Sequence, residues 1–219
     1  MSLSIIVLAA GKGSRMLSSK PKVLHEVGNY PMLYHVLDAC NSLKKKININ
    51  LVISKTLLSF TDEIKKKYSN ISFSMQEKQN GTADAVKVAI SKNKNFSDHT
   101  IIICGDTPLI SKSTLQRALK HFLINKLDLS VISMIPKIKK NSYGKLRFEK
   151  DKLISIVEQI ENKEIQENSN ICNSGIMIVN TKKLEKNINL IKNRNKKNEY
   201  YLTDLVEIFS KKKFSVSHF

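Results

Sequence analysis

The sequence predicts an α/β fold built on a doubly wound, mostly parallel mixed sheet. Strand-length apolar runs at 3–9 and 100–104 show no alternation, as expected of strands covered on both faces. Segments with helical spacing separate the strands, so the chain opens as βαβαβ, the pattern of a parallel sheet with crossover helices. Glycine-bearing loops follow two of these strands, at the carboxyl ends where an open α/β sheet holds its ligand.

Taken in order, residues 3–9 form the first strand. Residues 31–43 carry Met32, Val36, Ala39, Cys40 and Leu43 at helical spacing, with Pro31 suited to a first helical turn. A strand at 49–54, a polar helix at 62–68 and a strand at 71–75 follow. Residues 82–90 place Ala85, Val86, Ala89 and Ile90 on one helical side. The run Ile101, Ile102, Ile103 marks a central strand at 100–104 that ends at Gly105-Asp106. A helix at 112–123 and a strand at 127–135 complete the regular part. Beyond it, 143–148 and 153–157 read as a hairpin over a polar turn at Lys150-Asp151-Lys152. Residues 161–170 read as a polar loop, 171–179 as a strand, 182–187 and 201–210 as helices, and 214–219 as a closing strand. There is no internal repeat and no linker, so the expectation is one domain over residues 1–219.

Bulk properties exclude several function classes. No apolar run reaches the roughly 18–20 residues of a membrane span, so no membrane partner is expected. Met1 to Ala10 is apolar but lacks a basic n-region and reads as a strand rather than a signal peptide. Three cysteines, none in a C-x-x-C pair, argue against a disulfide framework or a structural zinc site and point to a reducing cytoplasm. The net charge of +18 does not imply nucleic acid. Only four of 37 basic residues are arginines, the lysines are scattered, and Trp is absent. Such a field favours small anionic substrates. Nothing in the sequence specifies an oligomeric state.

The chemistry is concentrated in a few segments. Leu8-Ala9-Ala10-Gly11-Lys12-Gly13-Ser14-Arg15-Met16 directly follows the first strand. Its glycines permit a tight turn and close approach of backbone N–H groups to a phosphate. Lys12 and Arg15 add charge, and Arg15 can grip two phosphate oxygens at once. Only seven glycines occur, yet Gly11, Gly13, Gly81, Gly105, Gly144 and Gly175 all fall in such segments. A chain this poor in glycine retains it where backbone geometry or ligand approach demands it.

The glycine-rich string resembles the signature of the sugar nucleotidyltransferases. With Pro21-Lys22-Val23-Leu24-His25, it is similar above all to the uridyltransferase half of the bacterial N-acetylglucosamine-1-phosphate uridyltransferases. The resemblance runs through nearly the whole chain. It includes Gln76, Gln79 and Gly81-Thr82-Ala83, then Gly105-Asp106-Thr107-Pro108-Leu109-Ile110. Tyr143-Gly144, Val157-Glu158, Asn173-Ser174-Gly175 and 199–204 follow in the family's order.

The resemblance implies a Rossmann-like sheet of the nucleotide-diphospho-sugar transferase (GT-A-like) type, and uridylyl transfer from UTP to N-acetylglucosamine 1-phosphate. Arg15 and Lys22 would hold the phosphates, and Asp106 would ligate Mg2+. Leu8, Ala9, Ala10, Gly11, Gly13, Gln76, Gln79, Gly81, Thr82, Cys104 and Gly105 would contact the nucleotide. The Gln76 amide can match an imide edge of uracil. Gly144, Glu158, Asn173, Tyr200 and Thr203 would face the sugar.

This sequence departs from the family at three positions. Cys104 stands where Tyr is common, Asp84 where His is common, and Lys145 where Arg is usual. Gly-Thr-Ala-Asp-Ala-Val also resembles glucose-1-phosphate adenylyltransferases, and cytidylyltransferases share an Ala-Ala-Gly loop, so ATP or CTP and other sugar phosphates stay open, while a missing metal ligand would fit an inactive UTP-sensing domain. The family's second metal ligand, an Asn after the final strand, falls past Phe219. The family's left-handed β-helix acetyltransferase domain is expected to be absent from these residues.

Overall fold

The computed structural model describes residues 3–13, 16–43, 47–93, 96–138, 141–158 and 170–219. The chain opens with β1 (Leu3–Leu8), β2 (Glu26–Val27), β3 (Tyr30–Pro31) and α1 (Met32–Asn41). Then come β4 (Asn48–Ile53), α2 (Thr61–Lys67), β5 (Ile71–Met75), α3 (Thr82–Lys92) and β6 (His99–Cys104). After α4 (Lys112–Ile124) run β7 (Leu129–Met134), β8 (Lys145–Glu149), β9 (Lys152–Val157) and β10 (Cys172–Asn180). The chain closes with α5 (Thr181–Asn187), α6 (Asp204–Lys211) and β11 (Val216–His218).

The main sheet has the order β11-β7-β10-β6-β1-β4-β5. Strand β1 lies parallel to both β4 and β6, β5 is parallel to β4, and β11 is parallel to β7. Only β10 on this path runs against its neighbours β6 and β7. The sheet is thus mostly parallel and mixed, as the sequence leads one to expect. The β8–β9 hairpin adds to β10 through the pair Cys172–Lys145. From β1 the chain winds outward through β4 and β5, then returns to β6 on the other side. The reversal opens a crevice at the carboxyl ends of β1 and β6, where Leu8 and Cys104 are register partners.

The unbroken apolar strands are explained by helices on both faces. Ile5, Val7, Ile49, Leu51, Ile101 and Ile103 pack with Val36 and Leu37 of α1 and Leu115 and Phe122 of α4. Their neighbours Ile6, Val52 and Ile102 point the other way, against Ala85, Val86 and Ala89 of α3 and Leu205 and Phe209 of α6. The period-2 alternation is present, but both of its faces are apolar.

Three local features differ from the sequence reading. Pro31 is the residue capping α1, with φ −55° and ψ 136°, rather than part of its first turn. It closes a small β2–β3 hairpin whose turn residues Gly28 and Asn29 both have positive φ, the geometry a two-residue hairpin turn requires. The last helix begins at Asp204 instead of 201, because residues 200–202 are held by hydrogen bonds to 80–83. The turn at 150–152 narrows to Lys150 and Asp151, again both at positive φ. Of the polar loop at 161–170, only Asn170 lies within the described residues.

Candidate active site

The site is assembled from the carboxyl ends of the central strands upward. The Gly105 N–H donates to the Leu8 carbonyl at 2.9 Å, locking the exit of β6 to the exit of β1. Gly105 is enclosed: a Cβ there would lie 3.3 Å from Leu33 Cδ1 and from the Leu8 carbonyl oxygen. Thr107 Oγ1 donates to the Cys104 carbonyl at 2.7 Å and tightens the turn that carries Asp106. The 3₁₀ turn Lys22–Leu24 buries Val23 and Leu24 and leaves the Lys22 side chain directed at Asp106, to which Nζ donates. Gly13, at φ +61°, packs against this lysine, and a Cβ on it would sit 2.8 Å from Lys22 Cβ.

A second group forms around α3. Gln76 follows β5, its N–H donates to the Ile53 carbonyl at 2.8 Å, and its side chain is almost wholly enclosed. Its Nε2 donates to the Gly81 carbonyl at 3.1 Å and to Asp84 Oδ2 at 2.8 Å. Gly81 has φ +115°, and a Cβ would meet the Tyr200 carbonyl oxygen at 2.5 Å, so no other residue fits there. The Tyr200 N–H donates to Asn80, its carbonyl accepts from Ala83 N–H, and the Leu202 N–H donates to Thr82 Oγ1. Lys87 places its ammonium 4.6 Å from the Tyr200 ring centroid.

The sugar-side residues expected from sequence meet one another as well. Thr203 Oγ1 donates to Glu158 Oε1 at 3.3 Å. A Cβ on Gly144 would fall 3.1 Å from the same oxygen, so the glycine makes room for the carboxylate. The Asn173 N–H donates to the Gly144 carbonyl, and Asn173 Oδ1 accepts from Gly175 N–H at 2.9 Å. Gly175, at φ +83°, lies at the β10 bulge, and its carbonyl accepts from Cys104 Sγ at 3.7 Å. Burial pushes the Cys104 thiol up to about 12, the nearby Asp106 carboxylate adds to this, and Lys22 offsets part of it. The thiol is therefore a neutral donor at physiological pH rather than a nucleophile.

These contacts, with the short stretches of chain between them, close into a ring. It passes from Leu8 through Gly105, Cys104, Gly175, Asn173, Gly144, Glu158 and Thr203 to Tyr200, Gly81 and Gln76. It returns through Ile53 and Val52 of β4, whose Val52 carbonyl accepts from Ala9 N–H at 2.8 Å. Ala9 and Ala10 are buried beneath the rim, Gly11 and Lys12 are exposed above it, and Gln79 is half-buried on the 76–81 loop. Arg15 lies outside the described residues. Sequence reading noted Asp84 only as a departure and missed its bond to Gln76. An Asp in the first turn of a helix already suits the helix dipole, which hid any second purpose.

Asp106 is the acidic group at the β1–β6 crevice to which the family resemblance assigns a metal. Among the described residues no cluster of three or more His, Cys, Asp or Glu side chains could hold an ion. A single, partly exposed carboxylate fits magnesium, which commonly takes one or two carboxylates together with substrate phosphates and water.

Comparisons with known proteins cover nearly the whole chain. The nucleotidyl transferase family profile matches residues 4–218. Bifunctional protein GlmU of Sulfurovum sp. (strain NBC37-1) is 37% identical over 211 residues, which cover 95% of this chain and 46% of that protein. Bifunctional protein GlmU of Clostridioides difficile (strain 630) is 37% identical over 221 residues, covering 100% of this chain and 47% of its own. The chain thus spans about half the length of the curated relatives it matches. Among solved structures, a UDP-glucose pyrophosphorylase complexed with UDP-glucose superposes with a TM-score of 0.79 at 17% identity, over 99% of this chain and 90% of that one. An apo UDP-glucose pyrophosphorylase gives a TM-score of 0.80 at 18% identity, with the same coverage. At these identities the likeness establishes the fold.

Proposed function

The chain belongs to the nucleotidyl transferase family, and on that premise we propose that it transfers a uridylyl group from UTP to N-acetylglucosamine 1-phosphate. The observation that carries the proposal is the closed ring of contacts, in which glycine-rich, amide-bearing and carboxylate-bearing segments far apart in sequence surround the carboxyl ends of β1 and β6. In the reaction a phosphate oxygen of the sugar 1-phosphate attacks the α-phosphorus of UTP. The bond from the α-phosphorus to the bridging oxygen of the β-phosphate breaks, and pyrophosphate leaves as UDP-N-acetylglucosamine forms. Such transfers depend on positioning and charge stabilisation and need no protein nucleophile.

Each residue then has a task that its placement suits. The loop at 8–13 would cradle the triphosphate with backbone N–H groups. Lys22 would exchange its contact with Asp106 for phosphate oxygens, and Arg15 would neutralise the leaving pyrophosphate. Gln76, with Gly81 and Thr82, would receive the base, and Gln79 and Cys104 would line its surroundings. Glu158, ordered by Thr203, would accept from sugar hydroxyls beside Gly144, Asn173 and Tyr200. Magnesium, held by Asp106 with substrate phosphates, would supply neutralisation of charge building up on those phosphates. The reaction belongs in the cytoplasm, where nucleoside triphosphates are made. Among the described residues no helix is long and apolar enough to cross a membrane.

The test is pyrophosphate release across a panel of nucleoside triphosphates and sugar phosphates with magnesium. UTP with N-acetylglucosamine 1-phosphate should give the highest kcat/KM. Faster turnover with ATP and glucose 1-phosphate would replace this reading with the adenylyltransferase one, and binding of UTP without pyrophosphate release would leave a nucleotide sensor.

A further inference from the structure

The side-chain amide of Gln76 is held by two acceptors, and this fixes which of its ends can meet a ligand. An amide nitrogen carries two hydrogens. One is directed at the Gly81 carbonyl at 3.1 Å, the other at Asp84 Oδ2 at 2.8 Å. Among the described residues nothing donates to Gln76 Oε1, and that atom is not among the sealed, partnerless ones. Rotating the amide by half a turn would put Oε1 against both a carbonyl oxygen and a carboxylate, two repulsive contacts in an enclosed site. Of the two acceptors, the Gly81 carbonyl is backbone and accepts whatever the neighbouring side chains are. The carboxylate is the element that the sequence chose.

We infer that Asp84 is a specificity-determining positioning residue, which locks Gln76 with its carbonyl oxygen toward the base and so selects a pyrimidine that presents an imide N3–H. The inference rests on the uridylyl-transfer reading, since it names how the same site recognises its base. Uracil offers N3–H as a donor to Oε1. Cytosine offers a bare N3 lone pair at that position, and two facing acceptors repel. Discrimination therefore comes from an unfavourable contact with the wrong base as much as from a favourable one with the right base. Asp84 acts through Gln76 and needs no contact of its own with the nucleotide. It also sits in the first turn of α3, where its charge complements the helix dipole, and this competing structural role has to be separated in the test.

The experiment measures kcat and KM for UTP and for CTP in the wild-type chain, Asp84→Ala and Asp84→Asn, alongside thermal unfolding midpoints. The wild type should favour UTP. In Asp84→Ala one of the two acceptors is gone and a turned amide meets one repulsive contact instead of two, so the UTP-to-CTP ratio of kcat/KM should fall about tenfold, the scale of one hydrogen bond, with the change carried by KM. Asp84→Asn keeps an oxygen that can accept from Nε2 but removes the charge. It should restore most of the ratio even if its midpoint drops as far as that of Asp84→Ala. Equal losses with both nucleotides, or a ratio that tracks the midpoint through both variants, would reduce Asp84 to a helix-stabilising residue and overturn the inference, while uridylyl transfer stood. A wild type that favours CTP or a purine nucleotide would overturn the function reading, and this inference with it.

Discussion

Lys22 Nζ donates to Asp106 Oδ2, joining the turn after Pro21 to the turn after β6 across 84 residues of sequence. The two side chains keep 33% and 29% of their exposure, so water screens the pair, and its contribution to stability is about 0–1 kcal/mol. In the proposed reaction the same two groups face phosphates and magnesium, where a preorganised charge counts for more. Folding and catalysis are therefore expected to respond very differently to their loss.

Lys22→Ala is expected to lower turnover by about 100-fold or more, the scale of losing one preorganised donor, while far-UV circular dichroism stays unchanged. Arg15→Ala should act similarly and Lys12→Ala much less. Asp106→Asn should abolish pyrophosphate release at any practical magnesium concentration. Steady-state kinetics beside thermal melts would check this; full activity in Asp106→Asn would refute the assignment.

The loop glycines separate structure from chemistry. A Cβ on Gly11 meets nothing within 4 Å, so Gly11→Ala should melt within about 1 kcal/mol of the wild type. If triphosphate N–H contacts are made there, its KM for UTP should nonetheless rise. Gly13→Ala combines φ +61° with the 2.8 Å approach to Lys22 Cβ and should displace the lysine, costing activity beyond its roughly 1–2 kcal/mol of backbone strain. Unchanged kinetics in both variants would remove the loop from the site.

Gly81→Ala should be among the most damaging small substitutions. Positive φ and a 2.5 Å clash with the Tyr200 carbonyl oxygen offer no route to relaxation except separating residues 80–83 from 200–202. A loss above about 2 kcal/mol in urea melts is expected, since backbone must move. A near-neutral result would show that this junction is not needed for folding.

On the sugar side, Thr203→Val removes the donor to Glu158 Oε1 while preserving side-chain shape. It should raise the KM for N-acetylglucosamine 1-phosphate several-fold and leave the KM for UTP near the wild-type value, with Glu158→Ala stronger in the same direction. Equal effects on both substrates would place Glu158 outside the sugar subsite.

Acid should destabilise the fold through two histidines. Burial lowers the pKa of His99, against a weaker opposite pull from Asp98, and burial together with His121 lowers that of His218. The unfolded chain binds protons at these groups near their ordinary value of 6.5, before the folded chain does. Stability is therefore full above about 6.5 and falls as pH drops below it, toward the depressed values. Replacing His99, whose ring packs edge-on against Phe122, by Phe should flatten the unfolding midpoint between pH 7 and 5. An unchanged slope would exclude His99 as a source.

Periodicity and glycine placement made much of this protein legible from the sequence alone. The apolar runs at 3–9 and 100–104 identified doubly covered strands because every side chain of such a strand is buried, which local composition records directly. Gly13, Gly81 and Gly175 stand out because glycine is scarce in this chain, and each holds a positive φ with a close neighbour where a Cβ would lie. The Gly28-Asn29 hairpin was legible by the same chemistry and went unread. What only the tertiary structure decided depends on partners distant in the chain. Local patterning cannot show that β10 runs antiparallel between β6 and β7, because a strand buried on both faces looks alike in either direction. The start of α6 was set by bonds from 200–202 to 80–83, which override the helical spacing of 201–203. The partners of Asp84 and Glu158, Gln76 and Thr203, likewise emerge only from contacts. A carboxylate in a sequence is a charge without a direction, and the fold supplies the direction by deciding which donor it meets.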